Sequence, residues 1–228
     1  MKQGRFEQAR QLLANAGLLV RLIWLGLLGT FVLSLAFGRV ALAFVSIATF
    51  ALSLTPIFVA SRLSLRLPIP FLVATTVFIV ASIFLGEALD FYNRVWWWDL
   101  ALHSSAAIGF GLLGFLFVFM LFEGDRYAAP AWAIALISFC VAMMIGSMWE
   151  IFEFGMDQVF GLNMQKSGLM DTMGDLILNA AGGLFASAAG YLYLHEKRYG
   201  PLDPFIEQFI EQNKKYYQRA KERFKTKL

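Results

Sequence analysis

Charge is scarce in this chain. Asp, Glu, Lys and Arg make up 15% of its 228 residues, against about a quarter in ordinary soluble chains. Beside 59% apolar residues and a mean hydropathy of +0.63, that shortage excludes a water-soluble globular domain. Cysteine is nearly absent. Cys140 stands alone inside an apolar run, so no internal disulfide forms and the residue says nothing about compartment. Histidine is also rare, and His103 is the one that falls among acidic residues, which argues against a three-histidine zinc centre. No cleavable signal peptide is expected, because the first apolar run is long and leads straight into another.

Long apolar runs are what the chain has instead. Each is near the roughly 20 residues a helix needs to cross lipid. The spacing predicts six spans, at about 18–37, 41–60, 70–88, 99–122, 131–154 and 171–194. The expected fold is all-α: a polytopic membrane protein with a bundle of six transmembrane helices over residues 1–195. Thr55-Pro56 predicts a kink near the end of the second span. Residues 196–228 read as a basic amphipathic cytoplasmic tail, with Phe205, Ile206, Phe209 and Ile210 on one face of a helix and lysines towards lipid phosphates.

Six spans place both termini on one side of the membrane. Sixteen of the 19 basic residues fall on that side, and Arg39, Arg94 and Lys166 on the other. The excess of Lys and Arg predicts that both termini are cytoplasmic. Trp96, Trp97 and Trp98 then mark the outer boundary as interface anchors.

The same topology gathers the acidic residues. Glu87 and Asp90 end the third span, and Asp99 and His103 open the fourth. Glu150, Glu153 and Asp157 close the fifth, and Asp171, Asp175 and Asn179 open the sixth. Eight of the 16 carboxylates therefore fall at outer helix ends. Their spacings of three and four put each set on one helix face. Lipid penalises such faces, so they are expected to point at one another or at a water-filled cavity. Carboxylates this dense repel, and a divalent cation resolves the conflict. The expected metal ligands are His103, Glu150, Glu153, Asp171 and Asp175. Asp157, Glu87 and Asp90 are assigned to solvent. One imidazole among oxygen ligands suits Mn, Fe, Zn or Mg, the last preferring more water and less nitrogen. Two series of small residues, Ser105 with Gly109 and Gly182 with Ala186 and Gly190, are expected to let helices pack closely.

Three stretches carry a family resemblance: WWDLALHSSAAIGFG at 97–111, MWEIFEFGMD at 148–157 and DTMGDLILNAAGG at 171–183. In these the chain resembles the YjdF-like bacterial inner-membrane family, over roughly residues 70–195. The last stretch is also distantly similar to VanZ-like membrane proteins. The resemblance implies a multi-pass protein of the bacterial inner (plasma) membrane and supplies no reaction.

Three functions compete on this reading. One is a metal-dependent hydrolase of a lipid or envelope substrate near the outer leaflet. There the cation activates water, Asp99 or a spare carboxylate serves as base, and Asn179, with His103, belongs to the catalytic set by orienting a ligand. The second is a cation or cation-coupled transporter, which six short spans would form as a homodimer; no inverted repeat or inner acidic set marks one. The third is a structural metal or polar network tying helices together. Membrane lipids are the expected partners and nucleic acid is not. On this topology, a fluorescent protein fused after Leu228 fluoresces and an alkaline phosphatase fused there is inactive; the opposite pair would put the tail outside.

Overall fold

The computed structural model describes residues 13, 17–63, 65–121, 129–195, 200 and 202–213. Helices dominate: α1 (Leu18–Ala36), α2 (Val40–Ser53), α3 (Thr55–Leu63), α4 (Ile69–Ile79), α5 (Phe91–Arg94), α6 (Trp98–Leu121), α7 (Ala131–Phe160), α8 (Leu169–His195) and α9 (203–213). Between α4 and α5 the chain winds as a π-helix over Val80–Ala88. Among the described residues there is no strand. Six helical stretches are long and apolar enough to cross a membrane: Leu18–Ala36, Val40–Leu63, Ile69–Ala88, Trp98–Met120, Ala131–Phe160 and Leu169–His195. Only helices and closed barrels satisfy every backbone group within lipid, so this is the architecture the composition demands. Large apolar side chains such as Leu18, Leu25, Phe44, Trp132 and Ile177 are exposed, while Ser46, Thr49, Ser53, Thr76 and Ser138 are buried. That inversion of the soluble pattern suits a bundle surrounded by lipid tails, where small residues bring helices together.

Compactness divides the chain into two units, one running to Trp98 and resuming at Glu207, the other from Asp99 to Ile206. In the first unit α1 turns into α2 at Gly38, whose φ of 71° is left-handed and favours glycine. The α2 hydroxyls feed their own helix: Ser46 donates to Leu42 O and Thr49 to Val45 O, both at 2.7 Å. The break expected at Thr55-Pro56 falls at Leu54, between α2 and α3. Pro56 has no N–H to continue the ladder. The Trp24 indole donates to Ser53 Oγ at 2.8 Å, and Val20, Ile57 and Leu72 form a small core with Trp24 and Val73.

Of the three tryptophans expected at the boundary, Trp96 and Trp97 are exposed, whereas Trp98 turns inward. It donates to Ala81 O at 3.2 Å and meets the Phe91 ring edge-on. In the loop before α4, Asn213 accepts the Arg66 N–H at 2.8 Å and donates to Arg66 O at 2.9 Å. Ile206 and Phe209 of α9 are buried within the protein, which leaves less of that face for lipid than the amphipathic reading expects. Tyr217, Phe224 and the remainder of the tail lie outside the described residues.

The second unit is built on α6, α7 and α8, and its contacts are glycines. A Cβ on Gly182 would meet the Ala107 Cβ at 2.7 Å and Ser104 O at 3.0 Å; one on Gly111 would meet the Ala186 Cβ at 2.7 Å. Gly114 lies against Val141 and Gly190 against the Phe115 ring. At the crossing of α6 and α7, Ser138 donates to Gly111 O at 2.7 Å. The expected role of Gly182, Ala186 and Gly190 therefore stands, but that of Ser105 and Gly109 does not. Ser105 is exposed and nothing lies near Gly109. Ala107, Gly111 and Gly114 carry the α6 contact instead, because they occupy the face turned to its neighbours.

The two kinds of glycine respond oppositely to a methyl group. Gly182→Ala forces backbone apart and is expected to cost about 1–3 kcal/mol as overpacking. Gly109→Ala meets nothing and gains helix propensity, up to about 1 kcal/mol. Thermal unfolding in detergent checks this, with Gly182→Ala below wild type and Gly109→Ala at or above it.

Candidate metal centre

Three helix ends of the second unit converge. Asp99 and His103 lie in the first turns of α6, and Asp171 and Asp175 in the first turns of α8. Both N-termini favour negative charge through their exposed N–H groups. The third contributor is α7, which runs past the expected end at 154 to Phe160. Its 30 residues measure roughly 45 Å at 1.5 Å per residue, more than the hydrocarbon core. Glu150, Glu153 and Asp157 thus share one continuous helix. Its stop is Gly161, left-handed at φ 65°, whose N–H bonds Asp157 O at 3.0 Å.

His103 is the hub. Its Nε2 faces Asp99 Oδ1 at 3.7 Å and Asp175 Oδ2 at 3.6 Å, while Nδ1 faces Glu150 Oε1 at 3.8 Å. Asp99, His103 and Asp175 each offer a ligand atom, all within 4.8 Å of one another. These separations exceed a hydrogen bond. They lie near the roughly 3.4 Å edge of a tetrahedron with metal–ligand bonds of about 2.1 Å. The Glu150 carboxylate on the opposite ring nitrogen is the kind of partner that orients a ligating imidazole.

Burial sharpens the arrangement. Glu150 is 4% exposed and Asn179 2%. Neither Glu150 oxygen nor the Asn179 amide nitrogen finds a hydrogen-bond partner among the described residues. The Thr172 hydroxyl acts on Glu150 without completing a bond. Asn179 packs against Gly146, where any Cβ would strike its side-chain amide. A buried polar group left unpaired costs about 1–3 kcal/mol, whereas a paired one is neutral to stabilising. Glu153 is better provided, since the Trp149 indole donates to its Oε1 at 2.9 Å.

The structure brings the expected residues together, in a different order. Asp99, expected as a base, joins His103 and Asp175 in the ligand group, and Glu150 takes the far side of the ring. Asp171, half-buried, acts electrostatically on Asp99, His103, Glu150 and Asp175 and takes the Lys166 backbone N–H. Asp157, assigned to solvent, instead holds the loop between α7 and α8: its two oxygens accept Met164 N at 2.7 Å and Gln165 N at 2.9 Å. Glu87 and Asp90 belong to the first unit and are exposed, and Asp90 accepts the Asn93 amide at 2.7 Å. Lys166, absent from the expected site, places Nζ 3.2 Å from Asp99 Oδ2. Its signal in the sequence was its rarity as a basic residue among these acidic helix ends.

Fold and site define a polytopic helical membrane protein with a buried acidic and imidazole cluster. The chain belongs to the family described as "Predicted membrane protein (DUF2238)", which matches residues 18–196. That span contains every residue of the cluster. A relative from Thermotoga maritima, carrying only the name "Uncharacterized protein", is 30% identical over 112 residues. The aligned part covers 47% of this chain and 57% of that relative. No solved structure matches. The expected membrane family without an assigned reaction is thereby met, while the VanZ-like similarity is not among these findings.

The Asp157 contacts are the most direct to test. Hydrogen bonds to a charged acceptor contribute about 1.5–3 kcal/mol each. In Asp157→Ala, amide exchange at Met164 and Gln165 is expected to speed up by about tenfold or more. Unchanged exchange there would mean the loop is held by other contacts.

Proposed function

We propose that the protein binds a divalent cation at Asp99, His103 and Asp175 and uses it to hydrolyse a lipid or envelope substrate at the outer face of the bacterial inner membrane, with both termini cytoplasmic. The observation that carries this is the disposition around His103. Two carboxylate oxygens face Nε2 at 3.6 and 3.7 Å, and a third carboxylate, buried and without a hydrogen bond, faces Nδ1. An ionised cluster of this kind inside a bundle needs positive charge at its centre.

When bound, the cation would polarise the substrate and lower the pKa of a water molecule. The chain's own residues supply the remainder. Glu150, facing Nδ1 at 3.8 Å, favours the tautomer with its proton on that nitrogen, which leaves the Nε2 lone pair for the ion. Asp171, half-exposed and outside the ligand group, takes the proton of the attacking water. Asn179, seated on Gly146, lines the buried side and orients a polar ligand, while Glu153 is held by Trp149. One nitrogen with oxygen ligands favours Mn, Fe or Zn over Mg.

Metal analysis of the detergent-purified chain tests this, after a mild chelator wash and return of trace Mn, Fe and Zn. Wild type and Asp90→Asn are expected to hold about one ion per chain. His103→Ala and Asp175→Asn are expected to lose it. A folded wild type that takes up no metal would overturn the reading. Uptake in the absence of lipid hydrolysis would leave the ion and remove the hydrolase.

A further inference from the structure

The connection between α7 and α8 is a short, tied loop that presents one lysine. Left-handed glycines stand at either end, Gly161 at φ 65° and Gly168 at φ 66°. Between them the backbone is held from both helices. Asp157 of α7 takes the N–H groups of Met164 and Gln165. On the α8 side, the Gln165 side chain donates to the Thr172 hydroxyl and the Lys166 N–H goes to Asp171. The result is a fixed backbone carrying a long side chain, 30% exposed, that reaches the Asp99 carboxylate.

The Lys166 charge acts through space on Asp171 and Asp175. It pairs with Asp99, whose side chain is 24% exposed, and not with Glu150 or Asp175, at 4% and 7%. The pair is only partly buried, so the ammonium reaches solvent as well as Asp99. The Asp99 carboxylate is also shared: Oδ2 faces Lys166 and Oδ1 faces His103 Nε2. The lysine charge therefore sits one carboxylate away from the proposed ion. An independent sign that the site takes a ligand is Glu150, buried, without a hydrogen bond and turned to the same imidazole.

We infer that Lys166 and the cation at His103 together form a subsite for a phosphoryl group of the substrate. This rests on the metal reading. A point-charge ammonium beside a divalent ion is an arrangement suited to a phosphate, whose oxygens can reach both. Without those two charges the surrounding carboxylates would repel any anion, so binding needs both. A lipid headgroup and a soluble phosphate share this chemistry.

The test uses the full chain in detergent, loaded with Mn, and reads the broadening of the phosphorus resonance of two probes: inorganic phosphate and a short-chain phosphatidic acid. Wild type is expected to broaden the resonance saturably. Lys166→Ala is expected to keep its Mn and to weaken the apparent affinity by roughly tenfold, the loss of one charge-assisted contact, and Lys166→Arg to restore most of it. Broadening of both probes supports a general phosphoryl subsite; broadening of the phosphatidic acid alone supports a lipid headgroup. Lys166→Ala that holds Mn and matches wild type with both probes would overturn the inference and leave the metal reading standing. A wild type that takes up no Mn would overturn both.

Discussion

A carboxylate inside a helix bundle has to be paired or take up a proton, and the second unit is arranged around that requirement. Water can repay the desolvation of an exposed Asp or Glu, but lipid tails cannot. Glu150, Glu153 and Asp175 are all buried, and the imidazole that Glu150 and Asp175 share with Asp99 is a single group with two nitrogens. His103 can satisfy one carboxylate on each nitrogen, yet three face it. The cluster is short of positive charge by construction. Lys166 meets the shortage only at the rim. The interior shortage is what a divalent ion would fill.

Such a cluster can form only if three backbones come close without side chains in the way. The glycines do this at successive levels: Gly190 under Phe115, Gly111 against Ala186, Gly182 against Ala107, and Gly146 beneath Asn179. The last of these links packing to chemistry. A methyl group at Gly146 would displace the amide that lies one helical turn below Asp175 on α8. Functional side chains mounted on helices in close contact are held more rigidly than those on loops. Here all but Lys166 are helical, and the lysine's loop is fastened to both adjoining helices. Packing energy and site geometry are thus the same contacts seen from two ends.

The spans were legible because hydropathy over some twenty residues is a strong signal. The course of α7 was not. Glu150, Glu153 and Asp157 look like the point where a chain meets water, so the expected helix stopped at 154. Their spacing in fact continues the helix, and the stop is Gly161, visible in the sequence but unread. The spacing of four that linked Ser105 to Gly109 was equally real and pointed the wrong way, because periodicity defines a stripe on a helix without saying which neighbour it meets. Ala107, Gly111 and Gly114 make the contact from another face. Lys166 was hidden for a different reason. Its partner, Asp99, is remote in sequence, and only the folded loop joins them. Which ring nitrogen Asp99 and Glu150 each face was hidden in the same way, since it too depends on how the folded helices meet.

The contrast between the two units argues for where the chemistry lies. In the first, polar side chains are largely spent on local structure. Ser46 and Thr49 return to carbonyls one turn back, Trp24 meets Ser53, and Asn213 doubles as both donor and acceptor for Arg66. Thr76 is the exception, a lone hydroxyl without a partner among the described residues. A hydroxyl left over costs little beside an ionised carboxylate. In the second unit Asp157 and Glu153 are spent in the same structural way, on the loop and on Trp149. What remains is Glu150, the two aspartates facing His103 Nε2, and Asn179. Stability alone would favour apolar residues of similar volume at these positions. Three carboxylates around one imidazole, with Asn179 buried on a neighbouring turn, are a cost in stability that a bound cation would offset.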